Sequence, residues 1–366
     1  MRRALAGQPC EQSGTLKRLI TIRQAREAAR LWMVQEARQV SGFCGAYTAG
    51  STNWLPDDAE QSSSSDLNIM VIVADDGQAG RREKFFYQDA LLEASYLSSE
   101  RFQSAEQILG DYHLAPSFRT AKVMIDPRGR LTSLFESVCR GYGKRRWVRQ
   151  RCANARDKVL GHLKPVGGEA TLHDQVMACL FAAGVCTHVL LTAGLRNPTV
   201  RMRYVAVREL LAEYGIAEFH ETLLELLGVA RIGRERARGH LAALTRIFDT
   251  ASRALTSEFS FAYDIRESAR PVAIDGSREL IDAGYYREAM FWIGVTHARC
   301  QKVLANDVPE ELTKSFKDTY QELLSDLGLG TSAEIRQRGV RIEHMLPRVW
   351  EVAEDIVAAN REVEED

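Results

Sequence analysis

The sequence predicts an α+β protein in which a small mixed β-sheet is followed by a larger α-helical part. Short apolar segments bounded by turn residues fill residues 42–126, as expected for the strands of a sheet. Beyond Pro127 the apolar residues recur with helical spacing, and an amphipathic helical stripe over residues 16–40 precedes the sheet. We therefore divide the chain into an N-terminal tail and helix (1–41), a sheet domain (42–126) and a helical domain (127–366).

Composition and charge exclude several classes of protein. Of the 366 residues, 45% are hydrophobic and 27% are charged, which is typical of soluble globular chains, and a chain of this length commonly holds two domains. The net charge of −1 argues against broad electrostatic binding to nucleic acid or to an anionic membrane. The seven cysteines form no Cys-x-x-Cys pair, so we expect reduced thiols and a cytoplasmic location instead of a zinc site or a disulfide framework.

The longest apolar stretch, residues 176–191, is expected to be a buried helix. It is shorter than the ~20 apolar residues that are needed to cross a bilayer, and it contains Thr187 and His188. Residues 1–9 carry two arginines but lack the apolar core of a signal peptide. The sequence therefore predicts no membrane association.

Turn residues set the order of the sheet domain. The predicted strands cover residues 42–47, 67–73, 84–87, 90–96 and 121–125. Gln88-Asp89 joins the third and fourth strands as a hairpin, Asp75-Asp76-Gly77 ends the second, and Asp126-Pro127-Arg128-Gly129 closes the last. A polar loop over residues 53–65 separates the first strand from the second.

Proline and glycine mark the expected boundaries in the helical domain. Asn197-Pro198 predicts a helix start with proline in the first position, and Gly215 predicts the end of that helix. Residues 259–276 are expected to be irregular, and a helix is expected over residues 280–304. Pro347 is expected to open the last helix.

The segment most informative about function is a small-residue turn followed by an acidic strand start. Gly50 allows the backbone to approach a phosphate chain closely, and the hydroxyls of Ser51 and Thr52, with that of Ser65 further on, can bond its oxygens. Asp66 then opens the second strand. A phosphate-holding turn followed by a carboxylate is the usual order in nucleotide-transfer sites, although a plain turn is the alternative.

Two further side chains extend the acidic group. Asp66 and Asn68 point to the same side of the strand, because side chains alternate along it. Glu93 lies among apolar neighbours on the fourth predicted strand, where a carboxylate is costly unless it is paired or bound to a metal. Carboxylate and amide oxygens are suitable ligands for Mg²⁺. We therefore predict Asp66, Asn68 and Glu93 as metal ligands, with a purely structural role as the alternative for each.

In Gly50-Ser51, Asp66 and Glu93 the chain resembles the nucleotidyltransferase superfamily. The pattern of that family is Gly-Ser, a short gap, Asp-x-Asp or Asp-x-Glu on a strand, and a third carboxylate on a later strand. Asn68 stands where the family has its second carboxylate. The helical part, with a turn at residues 195–199, looks like the C-terminal domain of kanamycin nucleotidyltransferase-type enzymes.

The resemblance implies that residues 42–126 form the nucleotidyltransferase domain. It also implies Mg²⁺-dependent transfer of a nucleoside monophosphate from an NTP, with ATP the expected one, to a hydroxyl of an antibiotic-like small molecule or of a protein. In the family the helical domain forms one wall of the cleft, sometimes across a dimer, so the resemblance allows a homodimer. The implied site residues are catalytic Asp66 and Glu93 and the triphosphate contacts Gly50, Ser51, Thr52 and Ser65.

Other interpretations stay open at the level of the sequence. The uncharged Asn68 and the long loop before Asp66 favour a degenerate nucleotide-binding protein or sensor with impaired catalysis. An antitoxin-like role is known for minimal nucleotidyltransferases that pair with helical toxin domains, but the helical part lacks a convincing Arg-x₄₋₆-His motif. The basic run over residues 144–151 is either a solvated surface or a rim that receives a triphosphate, with Trp147 available for stacking.

Overall fold

The computed structural model describes residues 20–62, 64–74 and 77–366, with only the backbone of Ser51 and Leu312. The N-terminal tail, the first residues of the predicted N-terminal helix, and Asp75-Asp76 of a predicted turn lie outside these ranges. Within them the chain is α+β, with a small mixed sheet followed by helices, as the sequence predicts.

In the described residues, five strands form one sheet. They are β1 Phe43–Ala49, β2 Leu67–Val73, β3 Arg82–Tyr87, β4 Ala90–Ser98 and β5 Lys122–Ile125. Their order across the sheet is β3-β4-β2-β1-β5, with β2 and β4 parallel and every other neighbouring pair antiparallel. The predicted strands are confirmed, with ends that shift by about two residues at most, which is the usual uncertainty of element boundaries.

The helices outnumber the strands and mostly follow the sheet. α1 precedes the sheet and is shorter than predicted, because a 3₁₀ turn, Ala37–Gln39, follows it. The helices are α1 Ile22–Gln35, α2 Ala105–Gly110, α3 Leu114–Arg119, α4 Arg130–Gly141, α5 Arg145–Leu163, α6 Leu172–Ala193, α7 Arg203–Glu213, α8 Phe219–Leu227, α9 Arg234–Ala254, α10 Gly276–Asp282, α11 Tyr286–Asp307, α12 Glu310–Leu327 and α13 Ser332–Ala359.

The two faces of the sheet are covered by different elements. On one face, Leu67, Ile69 and Val71 of β2 are buried in a core that they share with α1. On the other face, Tyr47 of β1 and Ile72 of β2 belong to the large core that is formed mainly by residues 127–366, the helical half. A site on this second face therefore lies between the sheet and the helices that follow it.

Helix α6 is the centre of the helical half and packs against α5, α11 and α13. It is the one helix in the described part of the chain that is long and apolar enough to cross a membrane, and 94% of its most apolar stretch is buried inside the protein. Its apolar surface is therefore covered by neighbouring helices, as the sequence predicts for residues 176–191.

The helix predicted to start at Pro198 begins later. The first residue of α7 is Arg203, and Pro198 lies in the segment before it. That segment is held by the rest of the fold, since the carbonyl of Thr199 bonds Nε2 of His188 at 2.9 Å. Tertiary contacts therefore override the helix start that Pro198 predicts. The predicted helix end is confirmed, because α7 ends at Glu213, shortly before Gly215, which has a φ of 72°.

The last helix starts earlier than predicted. α13 begins at Ser332, where Thr331 and Glu334 form a capping box, and it continues through Pro347. Pro347 lacks a backbone N–H and so removes one helical hydrogen bond. The helix persists because its apolar face, which includes Ile342, is buried along its length.

The helix predicted over residues 280–304 is divided into two. α10 ends at Asp282 and α11 begins at Tyr286. Gly284 lies between them with a φ of 96°, a left-handed conformation that favours glycine. The segment over residues 259–276 consists of bends and short helical turns up to the start of α10, close to the predicted irregular structure.

The continuous core predicts that the sheet half does not fold alone. A chain of residues 1–126 would expose the face of Tyr47 and Ile72 that the helices cover. We expect this fragment to aggregate or to lose the cooperative unfolding transition of the full chain, because burial of apolar surface is the main stabilising contribution. Thermal melting of the fragment and of the full-length protein, followed by circular dichroism, tests this expectation. A fragment that melts cooperatively and stays soluble would show that the two halves are independent.

Candidate functional site

A row of polar side chains crosses three strands on the face that meets the helical half. Asn68 of β2 is in register with Glu93 of β4, and Glu93 is in register with Lys84 of β3. Asp66 lies two residues before Asn68 and points to the same side. Because Leu67 faces α1, alternation places the row on the opposite face of the sheet. The structure thus brings the three predicted metal ligands together, and it adds a lysine.

The ammonium group of Lys84 lies between the two carboxylates. Its Nζ is 2.7 Å from Oδ2 of Asp66 and 2.9 Å from Oε2 of Glu93. The Lys84 side chain is 3% exposed, whereas those of Asp66 and Glu93 are 17% and 15% exposed. Lys84 therefore contacts both carboxylates from the buried side and offsets one of their two negative charges, while the carboxylates stay partly exposed to solvent.

This environment shifts the pKa values of all three groups. Burial alone would raise the pKa of Asp66, but the charge and hydrogen bond of Lys84 hold it below its ordinary value. Burial raises the pKa of Glu93 to about 7, and the charges of Asp66 and Asp264 add to this rise against the opposing effect of Lys84. Burial alone would lower the pKa of Lys84, but the surrounding carboxylates raise it. At neutral pH Lys84 and Asp66 are therefore charged, whereas Glu93, with a pKa of about 7, is partly protonated.

Asp264 and Arg299 extend this ion pair into the helical half. Oδ1 of Asp264 is 4.0 Å from Nζ of Lys84, and its Oδ2 accepts a hydrogen bond from Nη1 of Arg299 at 2.8 Å. The hydroxyl of Ser268 donates to the carbonyl of Lys84 at 2.5 Å. The lysine is therefore fixed through both its backbone and its side chain by residues that follow the sheet in the chain.

Two arginines and a further glutamate complete the charged cluster. Burial alone would lower the pKa of Arg82, but Tyr263 and neighbouring carboxylates raise it. Burial lowers the pKa of Arg201, against the charges of Glu279 and Asp66 close to it. Four acidic and four basic side chains thus meet here, namely Asp66, Glu93, Asp264 and Glu279 with Lys84, Arg82, Arg201 and Arg299.

The predicted phosphate-holding turn lies beside this cluster. Gly50 has a φ of 89°, and a Cβ there would be 3.0 Å from Nδ2 of Asn68, so a side chain at this position is disfavoured. Thr52 follows in a 3₁₀ turn, and its buried hydroxyl has no hydrogen-bond partner within the described ranges. The side chain of Ser51 lies outside the described part of the chain. Triphosphate contacts by Gly50, Ser51 and Thr52 stay predictions.

In the loop before β2, the serine that contacts the helical half is Ser64, which was not predicted. Its hydroxyl donates to Oε2 of Glu279 at 2.6 Å. The predicted Ser65 is half-buried, and its backbone N–H donates to the carbonyl of Ser62 at 3.0 Å. A contact between Ser65 and a phosphate stays a prediction.

As arranged here, the site does not fit a magnesium ion. Mg²⁺ requires oxygen ligands at about 2.0–2.1 Å, but the Lys84 ammonium fills the space between Asp66 and Glu93. Nδ2 of Asn68 donates to Oδ1 of Asp66 at 3.4 Å, so the amide turns its nitrogen towards the carboxylate. No group of three or more His, Cys, Asp or Glu side chains in the described ranges is arranged to hold a metal ion. Mg²⁺ at Asp66, Asn68 and Glu93 stays a prediction, and it requires Lys84 to move.

The basic run over residues 144–151 is engaged in contacts within the helical half. Arg149 pairs with Glu354 of α13 at 2.5 Å. Arg151 is fully buried and donates to the carbonyl of Tyr142 at 2.7 Å. Arg151 is therefore part of neither a solvated surface nor a phosphate-binding rim, because its guanidinium is buried between helices and bonds their backbone.

The sequence contains a signal for the position of this lysine. A two-residue turn at Gln88-Asp89 fixes the register of the hairpin, and that register places Lys84 opposite Glu93. Asp264 and Arg299 reach the site from distant parts of the chain. No local spacing predicts their arrival, because it depends on how the helices pack against the sheet.

The similarity of the chain to known proteins is remote. No family model matches the sequence, and no curated protein matches it. The chain aligns with the crystal structure of a nucleotidyltransferase-like protein from Exiguobacterium sibiricum 255-15. The two share 12% sequence identity, with 85% of this chain and 91% of that chain covered and a TM-score of 0.30. At that identity and TM-score the similarity supports no conclusion about fold or activity, so the function rests on the residues of the site.

Replacing Lys84 by methionine should destabilise the protein strongly. Lys84→Met keeps most of the side-chain volume but removes the ammonium that Asp66 and Glu93 both contact, which lowers the free energy of unfolding by about 3–5 kcal/mol. Lys317→Met is the matched control, because Lys317 pairs with Glu310 on the exposed surface, where an ion pair contributes little. Urea denaturation of the three proteins measures the difference. Equal midpoints for both variants would show that the buried ammonium is dispensable.

Proposed function

We propose that the chain binds a nucleoside triphosphate between the sheet and the helical half, and that it is a nucleotide-binding protein or sensor in which nucleotidyl transfer is impaired. The observation that carries this proposal is the buried ammonium of Lys84, 2.7 and 2.9 Å from the carboxylates of Asp66 and Glu93. Transfer needs such carboxylates to hold cations that neutralise the attacking and leaving oxygens. Lys84 contacts both carboxylates and offsets one of their two charges, which opposes the binding of such a cation.

The groups around the carboxylate pair are suited to a phosphate chain. Gly50 has a φ of 89° next to the amide of Asn68, a backbone conformation that suits a turn whose N–H groups bind phosphate oxygens. Arg82 and Arg201 supply guanidinium groups, which bind such oxygens through two parallel hydrogen bonds. These groups come from the sheet and from the helical half and converge on the carboxylates, because Arg82 interacts electrostatically with Glu93, and Arg201 with Asp66. One nitrogen of each is already engaged, since Nη1 of Arg82 donates to the hydroxyl of Tyr263 and Nη1 of Arg201 donates to the carbonyl of Gly276. The remaining N–H groups are the donors for phosphate oxygens. This convergence supports an NTP, with ATP the expected one, as the ligand.

A second candidate is Mg²⁺-dependent transfer of a nucleoside monophosphate to a hydroxyl. It is supported by the pairing of β2 with β4, which keeps Asp66 and Glu93 together with 17% and 15% of their side chains exposed. The acceptor would be an antibiotic-like small molecule or a protein, bound between the two halves. This activity requires that the nucleotide complex move Lys84 away from the carboxylates.

One experiment separates the two candidates. Calorimetric titration with ATP, GTP, CTP and UTP measures binding, and pyrophosphate release with a panel of hydroxyl acceptors measures transfer. We expect binding without pyrophosphate release. Release that disappears in Asp66→Ala would establish transfer instead, and a chain that binds none of the four nucleotides would refute both candidates.

Restoring a carboxylate at position 68 should create affinity for Mg²⁺. Asn68→Asp adds a negative charge beside Asp66 and Glu93, and so gives a surplus of negative charge to a cluster in which four acidic side chains are matched by four basic ones. We expect Mg²⁺ to bind this variant at least about tenfold more tightly than the parent, which corresponds to about 1.4 kcal/mol. Asn197→Asp, on an exposed turn, is the matched control. Calorimetric titration with MgCl₂ that gives equal affinities for both variants would show that Asn68 does not face a cation site.

A further inference from the structure

Lys84 is built into the fold and is not a loose surface lysine. Its strand register places it opposite Glu93, and the hydroxyl of Ser268 donates to its carbonyl at 2.5 Å. Its side chain is 3% exposed, and Asp264 approaches the ammonium from the helical half at 4.0 Å. The position of the ammonium is therefore determined by two parts of the chain at once.

The ammonium performs the electrostatic task of a metal ion at this place. It lies in hydrogen-bonding contact with both carboxylates, at 2.7 and 2.9 Å, and so places positive charge at the oxygens of Asp66 and Glu93 that would hold a divalent cation. A divalent cation on the same oxygens would have to displace it. Entry of that cation would also leave a buried ammonium with Asp264 as its remaining partner, and an incompletely paired buried charge is unfavourable.

The charges around the lysine leave no surplus for a second cation. Asp264 is already paired with Arg299 at 2.8 Å, and Glu279 lies near Arg201 and accepts a hydrogen bond from Ser64. A divalent cation binds where negative charge exceeds positive charge. In this cluster each carboxylate has a basic neighbour, so the pattern opposes a metal and removes the repulsion that Asp66 and Glu93 would exert on a phosphate chain.

We propose that Lys84 is a built-in cation that takes the place of a divalent metal ion, so that the site binds a nucleotide in the absence of Mg²⁺. The nucleotide part of this inference rests on the proposed function, whereas the exclusion of the metal rests on the ion pair alone. Removing the ammonium should therefore convert a metal-independent site into one that requires a divalent cation.

The first arm of the test measures cation binding without nucleotide. Melting temperatures of the full-length parent, Lys84→Met and the control Lys317→Met are compared in EDTA and in millimolar MnCl₂ or MgCl₂. We expect the cation to raise the melting temperature of Lys84→Met and to leave the other two unchanged, because a ligand that binds the folded state stabilises it. In the double variant Lys84→Met/Glu93→Gln, which removes one charge of each sign, the response should be lost.

The second arm measures the affinity for ATP by calorimetry in EDTA and in MgCl₂. We expect the dissociation constant of the parent to change by less than about threefold, and that of Lys84→Met to be at least about tenfold lower with Mg²⁺. The inference would be overturned if the parent bound ATP in MgCl₂ but not in EDTA. It would also be overturned if the cation raised the melting temperature of the parent and Asp66→Asn abolished this rise. If Lys84→Met does not fold, these two measurements on the parent decide the question. A parent that binds no ATP under either condition refutes the proposed function, and the first arm then judges the role of Lys84 separately.

Discussion

The site between the sheet and the helices depends on one buried ammonium group. Without Lys84, the carboxylates of Asp66, Glu93 and Asp264 would repel one another in a poorly solvated space. With it, Asp264 lies close to the sheet and also pairs with Arg299, whose Nη1 is 2.8 Å from Oδ2 of Asp264. The guanidinium of Arg299 lies 5.4 Å from the ring centre of Trp292. A chain of charges thus runs from the third strand of the sheet into the aromatic core of the helical half.

The same chain of charges explains why stability and chemistry oppose each other in this molecule. A carboxylate pair that is free to bind metal is unstable when it is buried alone, and a pair that is neutralised by a lysine has lost its attraction for metal. The pKa values of the two carboxylates reflect both effects. At Glu93 burial outweighs Lys84 and the pKa is raised, whereas at Asp66 the interactions with Lys84 outweigh burial and the pKa is lowered. A nucleotide-binding role is compatible with it, since phosphate groups are held by arginines and backbone amides as well as by metals.

The sequence was informative where local rules decide the structure, and misleading where distant packing decides it. Short apolar runs bounded by turn residues predicted the five strands of the described sheet, and the long apolar run over residues 176–191 predicted the buried α6. The prolines at 198 and 347 failed as helix starts, because one lies in a turn tied to His188 and the other lies within a helix with a buried apolar face. At the site, Asp66, Asn68 and Glu93 were brought together as expected, but Asp264 arrives through tertiary packing that no spacing encodes.

The hairpin turn between β3 and β4 lies outside the charged cluster, yet it decides which residue neutralises it. Gln88 and Asp89 have φ values of 48° and 65°, as a tight two-residue turn requires. A change in turn length that moves the pairing of β3 by one residue would rotate Lys84 to the α1 face and bring Phe85 or Glu83 opposite Glu93. The length of this turn is therefore constrained by the site. A chain with a longer or shorter turn would change its cation requirement without a substitution at any residue of the charged cluster.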